Sequence, residues 1–227
     1  MTWAWVTGAS RGIGRATALQ LARRGTDLLL LGRRSPALEE LLQQVAETGV
    51  RAKFVEANLV EAEFLVQTCR EQLEQWGVPD VLVNNAGAIE RQSVEKLSVE
   101  SWDRQLAVNL RTPFLITREL LPSMRAKRQG RLIHVGSISS TLGAAHASAY
   151  CASKWGLVGF MKSLAEELQD SGVMTLAILP GSVDTDMLQG SGFAPRMSAD
   201  DVARTIVYYA LDAPVAHNGS VIEMFGV

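Results

Sequence analysis

Tyr150 and Lys154 stand four residues apart in a proline-free stretch, 147–168. Leu157, Met161, Leu164, Ala165 and Leu168 recur there at helical spacing, which predicts a helix with one apolar face. Residues four apart on a helix lie one above the other, so an ammonium would stand beside a phenol. A phenol titrates near about pH 10 in water, and a neighbouring cation favours its ionised form. The pair therefore predicts a tyrosine tuned for acid–base work near neutrality. Ser137 lies thirteen residues earlier, at the end of the apolar run Leu132-Ile133-His134-Val135. A hydroxyl at that strand end can hold a carbonyl oxygen while a proton is delivered to it. The same pair also arises by chance on a solvated helix, so its weight rests on the elements that position it.

Those elements alternate. Apolar runs predict strands over 3–7, 28–31, 51–55, 81–83, 132–135, 173–179 and 220–225. Between them come helical patterns. The first starts at the glycines and buries Gly14, Ala18, Leu21 and Ala22 before Gly25 ends it. The second opens at Ser35-Pro36 and stops at Gly49, and the third carries Ala62, Leu65, Val66, Cys69, Leu73 and Trp76. A fourth, over 102–125, is broken near Pro113, and a last one opens at a capping box, Ser198-Ala199-Asp200-Asp201. Seven alternations predict one α/β domain over 1–227, a doubly wound, mostly parallel sheet of about seven strands with helices on both faces. Gly8, Asn84, Ser137 and Pro180 all follow strand ends, the edge where such sheets bind ligands.

Gly8, Gly12 and Gly14 lie between the first strand and the first helix. Glycine allows close backbone approach, and a helix start offers N–H groups to a pyrophosphate. The spacing, G-x-x-x-G-x-G, differs from the usual G-x-G-x-x-G, and a plain strand-to-helix turn is the bland alternative. An acid some 20 residues on would bond a ribose 2′-hydroxyl, whereas arginine suits a 2′-phosphate. Here Arg33 and Arg34 occupy that place, nineteen and twenty residues after Gly14, and Arg11 lies in the glycine loop. Guanidinium forks match phosphate, so the expected cofactor is NADP(H) rather than NAD(H).

Composition sets broad bounds. The 227 residues are 47% hydrophobic and 20% charged, with net charge −2, which gives no reason to invoke nucleic acid. No apolar run approaches the ~18 residues of a membrane span, and Met1-Thr2-Trp3 runs into the glycine motif without a leader pattern. Two cysteines, Cys69 and Cys151, fit free thiols in a reducing compartment, so a cytoplasmic protein is expected. Cys151 reads as a small buried thiol rather than a nucleophile. No His/Cys/acid cluster suggests a metal.

With these residues in view, the chain resembles the short-chain dehydrogenase/reductase family over nearly its whole length. Thr7 to Gly14 resembles its cofactor motif, Asn84-Asn85-Ala86-Gly87 its strand-four motif, and Pro180-Gly181-Ser182-Val183-Asp184-Thr185 its nicotinamide segment. Asn109, Ser137, Tyr150 and Lys154 match its catalytic tetrad in type, order and spacing. The resemblance implies that Tyr150 protonates a carbonyl, Lys154 lowers its pKa and bonds the nicotinamide ribose, Ser137 orients substrate, and Asn109 holds a water. It implies cofactor contacts from Gly8, Ser10, Arg11, Gly12, Ile13, Gly14, Arg33, Asn58, Leu59, Asn85, Ala86, Gly87, Tyr150, Lys154, Pro180, Gly181, Val183 and Thr185. Asn58 replaces the family's usual Asp; its amide oxygen still accepts a bond from adenine. A homodimer or homotetramer is implied, although Phe225-Gly226-Val227 lacks the usual paired-glycine ending.

Substrate choice is expected from residues 88–91, 139–147 and 186–197. Apart from His146, the stretch 141–147 is small and apolar, and 186–197 is short before the next helix. This predicts an open pocket without a large lid and with no charge built to grip a substrate carboxylate. Arg91 and Arg196 are the exceptions to weigh, although exposed arginines are usually solvated. The reading is an NADPH-dependent reductase of a ketone or aldehyde to an alcohol. A non-catalytic NADP(H)-binding regulatory protein on the same fold is the rival, and a structural partner with a vestigial site is a third.

Overall fold

The computed structural model describes residues 2–226; Met1 and Val227, the ends of the expected domain, lie outside the described residues. Seven strands form one sheet: β1 (Trp3–Thr7), β2 (Asp27–Gly32), β3 (Ala52–Glu56), β4 (Val81–Asn84), β5 (Gly130–Val135), β6 (Val173–Pro180) and β7 (Val221–Met224). Their order is β3-β2-β1-β4-β5-β6-β7, with every neighbouring pair parallel. The chain builds outward from β1 to β3, then returns to pair β4 on the other side of β1. That reversal opens a crevice above the strand ends between β1 and β4.

Burial on both faces explains why the strands read as continuous apolar runs rather than alternating ones. Successive side chains still point opposite ways. Val6, Leu28 and Leu30 pack under α1 (Gly12–Arg23), α2 (Pro36–Ala46) and α7 (Ala199–Leu211). Trp5, Leu29 and Leu31 pack on the other face under α3 (Ala62–Trp76), α5 (Thr112–Lys127) and α6 (Ser148–Glu167). Each fully buried leucine contributes about 1.5–3 kcal/mol relative to exposure, so register slips that expose a strand face are strongly disfavoured.

Two helix starts follow their sequence signals. Ser35 caps α2 with Pro36 at its first position, and Ser198 with Asp201 forms the expected capping box on α7. The expected helix over 102–125 is three pieces. α4 (Val99–Leu106) runs into a π-helical turn, Ala107–Arg111, and then into α5. The Thr112 N–H bonds the Ala107 carbonyl, five residues back. Pro113 therefore sits in the first turn of α5, where its missing N–H costs little, and the break falls just before it. Pro122 lies inside α5, and the helix continues through it.

Candidate active site

The crevice begins at the turn after β1. Gly8 has φ 68, and a Cβ there would meet the Ala86 Cα at 2.8 Å. A Cβ on Gly14 would lie 2.3 Å from the Gly8 carbonyl and 2.4 Å from Asn85 Nδ2. Backbone and amide fill the room that side chains would need. Asn85 Nδ2 donates to the carbonyls of Thr7 and Gly8, both at 3.0 Å, and the Thr7 hydroxyl accepts from the Asn85 and Ala86 N–H groups, both at 3.0 Å. The Asn85 side chain thus braces the glycine loop, so its expected place along a cofactor is left to its backbone. Thr7, the first residue of the motif, had no role assigned from the sequence and is a bracing residue here.

Helix α1 starts at Gly12 with no side-chain cap and no acid in its first turn, so its free N–H groups are available to an anion. Arg33 lies exposed just past the end of β2, beside a small cleft lined by Gly8, Ser10, Gly32 and Phe54. Arg33 has no ion-pair partner among the described residues. Arg34, by contrast, is taken up by Glu39, Glu56 and the face of Phe54. A small-residue cradle, an uncapped helix start and an unpaired guanidinium fit a dinucleotide bearing a 2′-phosphate. Asn58 is exposed and bonds Glu61 at 2.6 Å; the Leu59 carbonyl accepts from Thr112.

Across the crevice, a short turn of Ile138–Ser140 follows β5, with Ser137 as its cap. Ser137 Oγ accepts from the Ser139 N–H at 3.1 Å, which fixes a half-buried hydroxyl at the strand end. Tyr150 and Lys154 are both buried on α6. The Lys154 Nζ lies 5.8 Å from the centre of the Tyr150 ring and donates to the Val135 carbonyl at 2.7 Å. An ammonium has three N–H donors, so two remain.

The electrostatics correct one expectation. Tyr150 is pushed above its ordinary value, because burial outweighs the lowering influence of the Ser137 hydroxyl and the Arg91 charge. Burial also lowers Lys154 to about 8. A cover contributes to the burial of Tyr150. The segment after β6 folds over the crevice, and its turn Asp186–Leu188 places the Met187 Sδ 4.0 Å from the Tyr150 hydroxyl. The Met187 Cε lies 3.4 Å from where a Cβ on Gly87 would be, so the phenol faces the glycine-lined crevice and methionine fills the gap.

That segment is held at three places. A parallel bridge between Val183 and Met197 closes its neck. Arg11 pairs with Asp186 at 2.8 Å, which occupies one of the two arginines expected to meet a phosphate. Arg91 donates to the carbonyls of Gln189 and Met187, at 3.2 and 3.1 Å. Thr185 approaches Gly12, its Cγ2 lying 3.1 Å from a Cβ built there. Pro180 ends β6, and Gly181 and Val183 lead from it into the segment.

Asn109 is fully buried in the π-helical turn. Its Oδ1 accepts from the Ala88 N–H at 2.8 Å, and its Nδ2 donates to the Ala88 carbonyl at 2.8 Å and to Ser153 Oγ at 2.9 Å. Ser153 passes a bond on to the Tyr150 carbonyl at 2.7 Å. The amide is therefore spent on bracing. Any water held there falls to the backbone of the turn. Ser153 was not singled out from the sequence; its partner is 44 residues away and no local pattern marks it.

The remaining candidates separate. His134 is buried in β5, lowered to about 3 by burial and the Lys154 charge, and hence neutral at physiological pH. His146 is exposed in a left-handed loop conformation, φ 60. Cys151 is half-buried rather than buried, and Cys69 is buried with its thiol raised to about 12. Arg196 is exposed. Among the described residues no cluster of three His, Cys, Asp or Glu side chains could hold a metal, and no helix is long and apolar enough to cross a membrane.

A family model described as short chain dehydrogenase matches residues 2–193. A 3-oxoacyl-(acyl-carrier-protein) reductase of Synechocystis sp. is 33% identical over 94% of this chain and 91% of its own length. One from Aquifex aeolicus is 36% identical over 80% of this chain and 74% of its own. A solved structure from Beutenbergia cavernae, provisionally assigned as an NAD(P)-dependent gluconate 5-dehydrogenase with NADP bound at low occupancy, superposes with a TM-score of 0.90. It is 33% identical, over 98% of this chain and 94% of that one.

Proposed function

The chain belongs to the short-chain dehydrogenase family, and on that premise we propose that it is an NADPH-dependent reductase of ketones or aldehydes. One observation carries the reading. An uncapped helix start beside an unpaired Arg33 shares the sheet edge with Ser137, Tyr150 and Lys154. The named activities of its relatives, on a 3-oxoacyl carrier and on gluconate, both concern a keto or CH–OH group.

In this reading Gly8, Ser10, Gly12, Ile13 and Gly14 hold the pyrophosphate, Arg11 and Arg33 the 2′-phosphate, and Asn58 and Leu59 the adenine. The backbone of Asn85, Ala86 and Gly87, with Pro180, Gly181, Val183 and Thr185, lines the nicotinamide end. Bound there, NADPH supplies a hydride. Ser137 orients the substrate carbonyl, and Tyr150 gives its oxygen a proton. Lys154, with two donors left beside Val135, bonds the ribose and favours the phenolate left behind. Moving Met187 off Tyr150 removes the burial that holds the phenol high. The backbone carbonyl of Asn109, in the π-helical turn, holds the water that returns the proton.

A homodimer or homotetramer is supported by the exposed Phe114 on α5 and Trp155 on α6, apolar surface that a second copy would cover. The two free cysteines support a cytoplasmic site of action. The rival, a non-catalytic NADP(H)-binding regulatory protein, draws on the methionine covering Tyr150.

Loss of NADPH absorbance over a panel of ketones separates the two. Tyr150→Phe should lower turnover by roughly 10²–10⁴-fold and spare NADPH binding. Turnover that survives removes the assigned acid, and tight NADPH binding without turnover on any carbonyl favours the regulator. Arg33→Asp should shift the preference from NADPH toward NADH; an unchanged ratio removes Arg33 from the phosphate.

A further inference from the structure

The mouth of the crevice carries a cation with no acidic partner. Arg91 is half-buried in the stretch after β4. Its Nη1 and Nη2 each donate to a carbonyl of the covering segment. No carboxylate among the described residues pairs with it, although Arg11, Arg24, Arg34, Arg51, Arg70 and Arg118 all have one. The adjacent Glu90 is engaged elsewhere, accepting from the Ser101 hydroxyl at 2.7 Å. Carbonyl dipoles satisfy donors but do not neutralise a net charge. Of the five N–H donors of a guanidinium, two are used.

Its place is close to the reacting group. Met187 gives its carbonyl to Arg91 and its sulfur to the Tyr150 hydroxyl, so one residue's width separates guanidinium from phenol. The Arg91 charge accordingly draws the phenol downward. The stretch 142–145, Leu142, Gly143, Ala144 and Ala145, carries no charge.

We propose that Arg91 is the substrate-recognition residue of this site and takes the carboxylate of an oxo acid whose carbonyl lies against Tyr150. This rests on the reductase reading above. A carboxylate matches the guanidinium fork with two parallel bonds and supplies the missing charge. It would replace the carbonyls of Met187 and Gln189, so binding the acid also frees one clasp of the cover over Tyr150. Reduction then proceeds as for any ketone, with hydride to carbon and proton to oxygen; the carboxylate is unchanged.

The test uses the full chain with NADPH and compares 3-oxobutanoate with its methyl ester. The wild type should prefer the acid. Arg91→Ala should lose roughly 10- to 100-fold more in kcat/KM on the acid than on the ester, whose own change reports the lost clasp and the lost pull on Tyr150. Arg91→Lys should recover part of the loss, since it keeps the charge and loses the fork. NADPH binding by both variants verifies the fold. Equal losses on acid and ester, or no loss on either, overturn the assignment and leave Arg91 as a clasp alone. Turnover of neutral ketones with none of oxo acids overturns it too, while the reductase reading stands. No oxidation of NADPH by any carbonyl removes the reductase reading, and this inference falls with it.

Discussion

The Tyr150 hydroxyl and the Met187 sulfur meet at 4.0 Å, although 37 residues separate them in the chain. A thioether is a weak acceptor and poor solvent for a phenolate, so this contact withholds from Tyr150 the stabilisation that water or a ribose hydroxyl would give. We predict that Met187→Ala lowers the Tyr150 pKa by restoring hydration. In the proposed reaction Tyr150 must be protonated to act, so the alkaline limb of kcat/KM for reduction should move to lower pH. A limb that stays put would show that the methionine does not set this ionisation.

Arg11, proposed to meet the cofactor phosphate, is paired with Asp186. Both side chains are largely exposed, so the pair contributes only about 0.2–1 kcal/mol. Asp186→Asn should therefore tighten NADPH modestly, by up to roughly fivefold, and the gain should shrink as salt rises. Binding titrations at low and high ionic strength check this. A weaker NADPH complex in the variant would mean that Asp186 helps rather than competes.

Ser153 links Asn109 to the backbone of Tyr150. Ser153→Ala leaves the Asn109 Nδ2 short of a buried acceptor and should destabilise the fold by about 1–3 kcal/mol. The urea midpoint should fall with an unchanged slope. Turnover should fall as well, because the brace ties α6 at Tyr150 to the Asn109 turn. A stable, fully active variant would make this link incidental.

Lys154 is lowered to about 8 by burial, whereas an unfolded chain titrates near its ordinary 10.5. Between those values the unfolded state binds more protons, so stability should rise with pH through that window. Below about pH 8 both states are charged and the contribution is flat. Comparing wild type with Lys154→Met from pH 8 to pH 10 isolates the effect, which is on the order of 2 kcal/mol. No difference in slope between the two proteins would mean that the ammonium is not desolvated as described.

Much of the architecture was legible in the sequence because it is written in local patterns. Apolar runs of strand length, helical spacing such as that of Leu157, Met161 and Leu164, and turn signals at Gly25 and Gly49 each depend on neighbours a few residues away. The Ser198 capping box and the α3 span matched for the same reason. Tyr150, Lys154, Ser137 and the glycines could be chosen by type and spacing, since their order along the chain follows the order of the strand ends.

What the chain's order of residues determined by itself was thus the layered sheet and, along one edge of it, the side chains proposed to do the chemistry. Only the tertiary structure decided how those groups are engaged. It set the Lys154 ammonium on the Val135 carbonyl, spent the Asn109 amide on Ala88 and Ser153, and laid Met187 over Tyr150. The physical reason is that burial and partner choice are properties of surfaces brought together from distant parts of the chain. A phenol's ionisation follows what covers it, and no spacing along α6 records a methionine arriving from beyond β6.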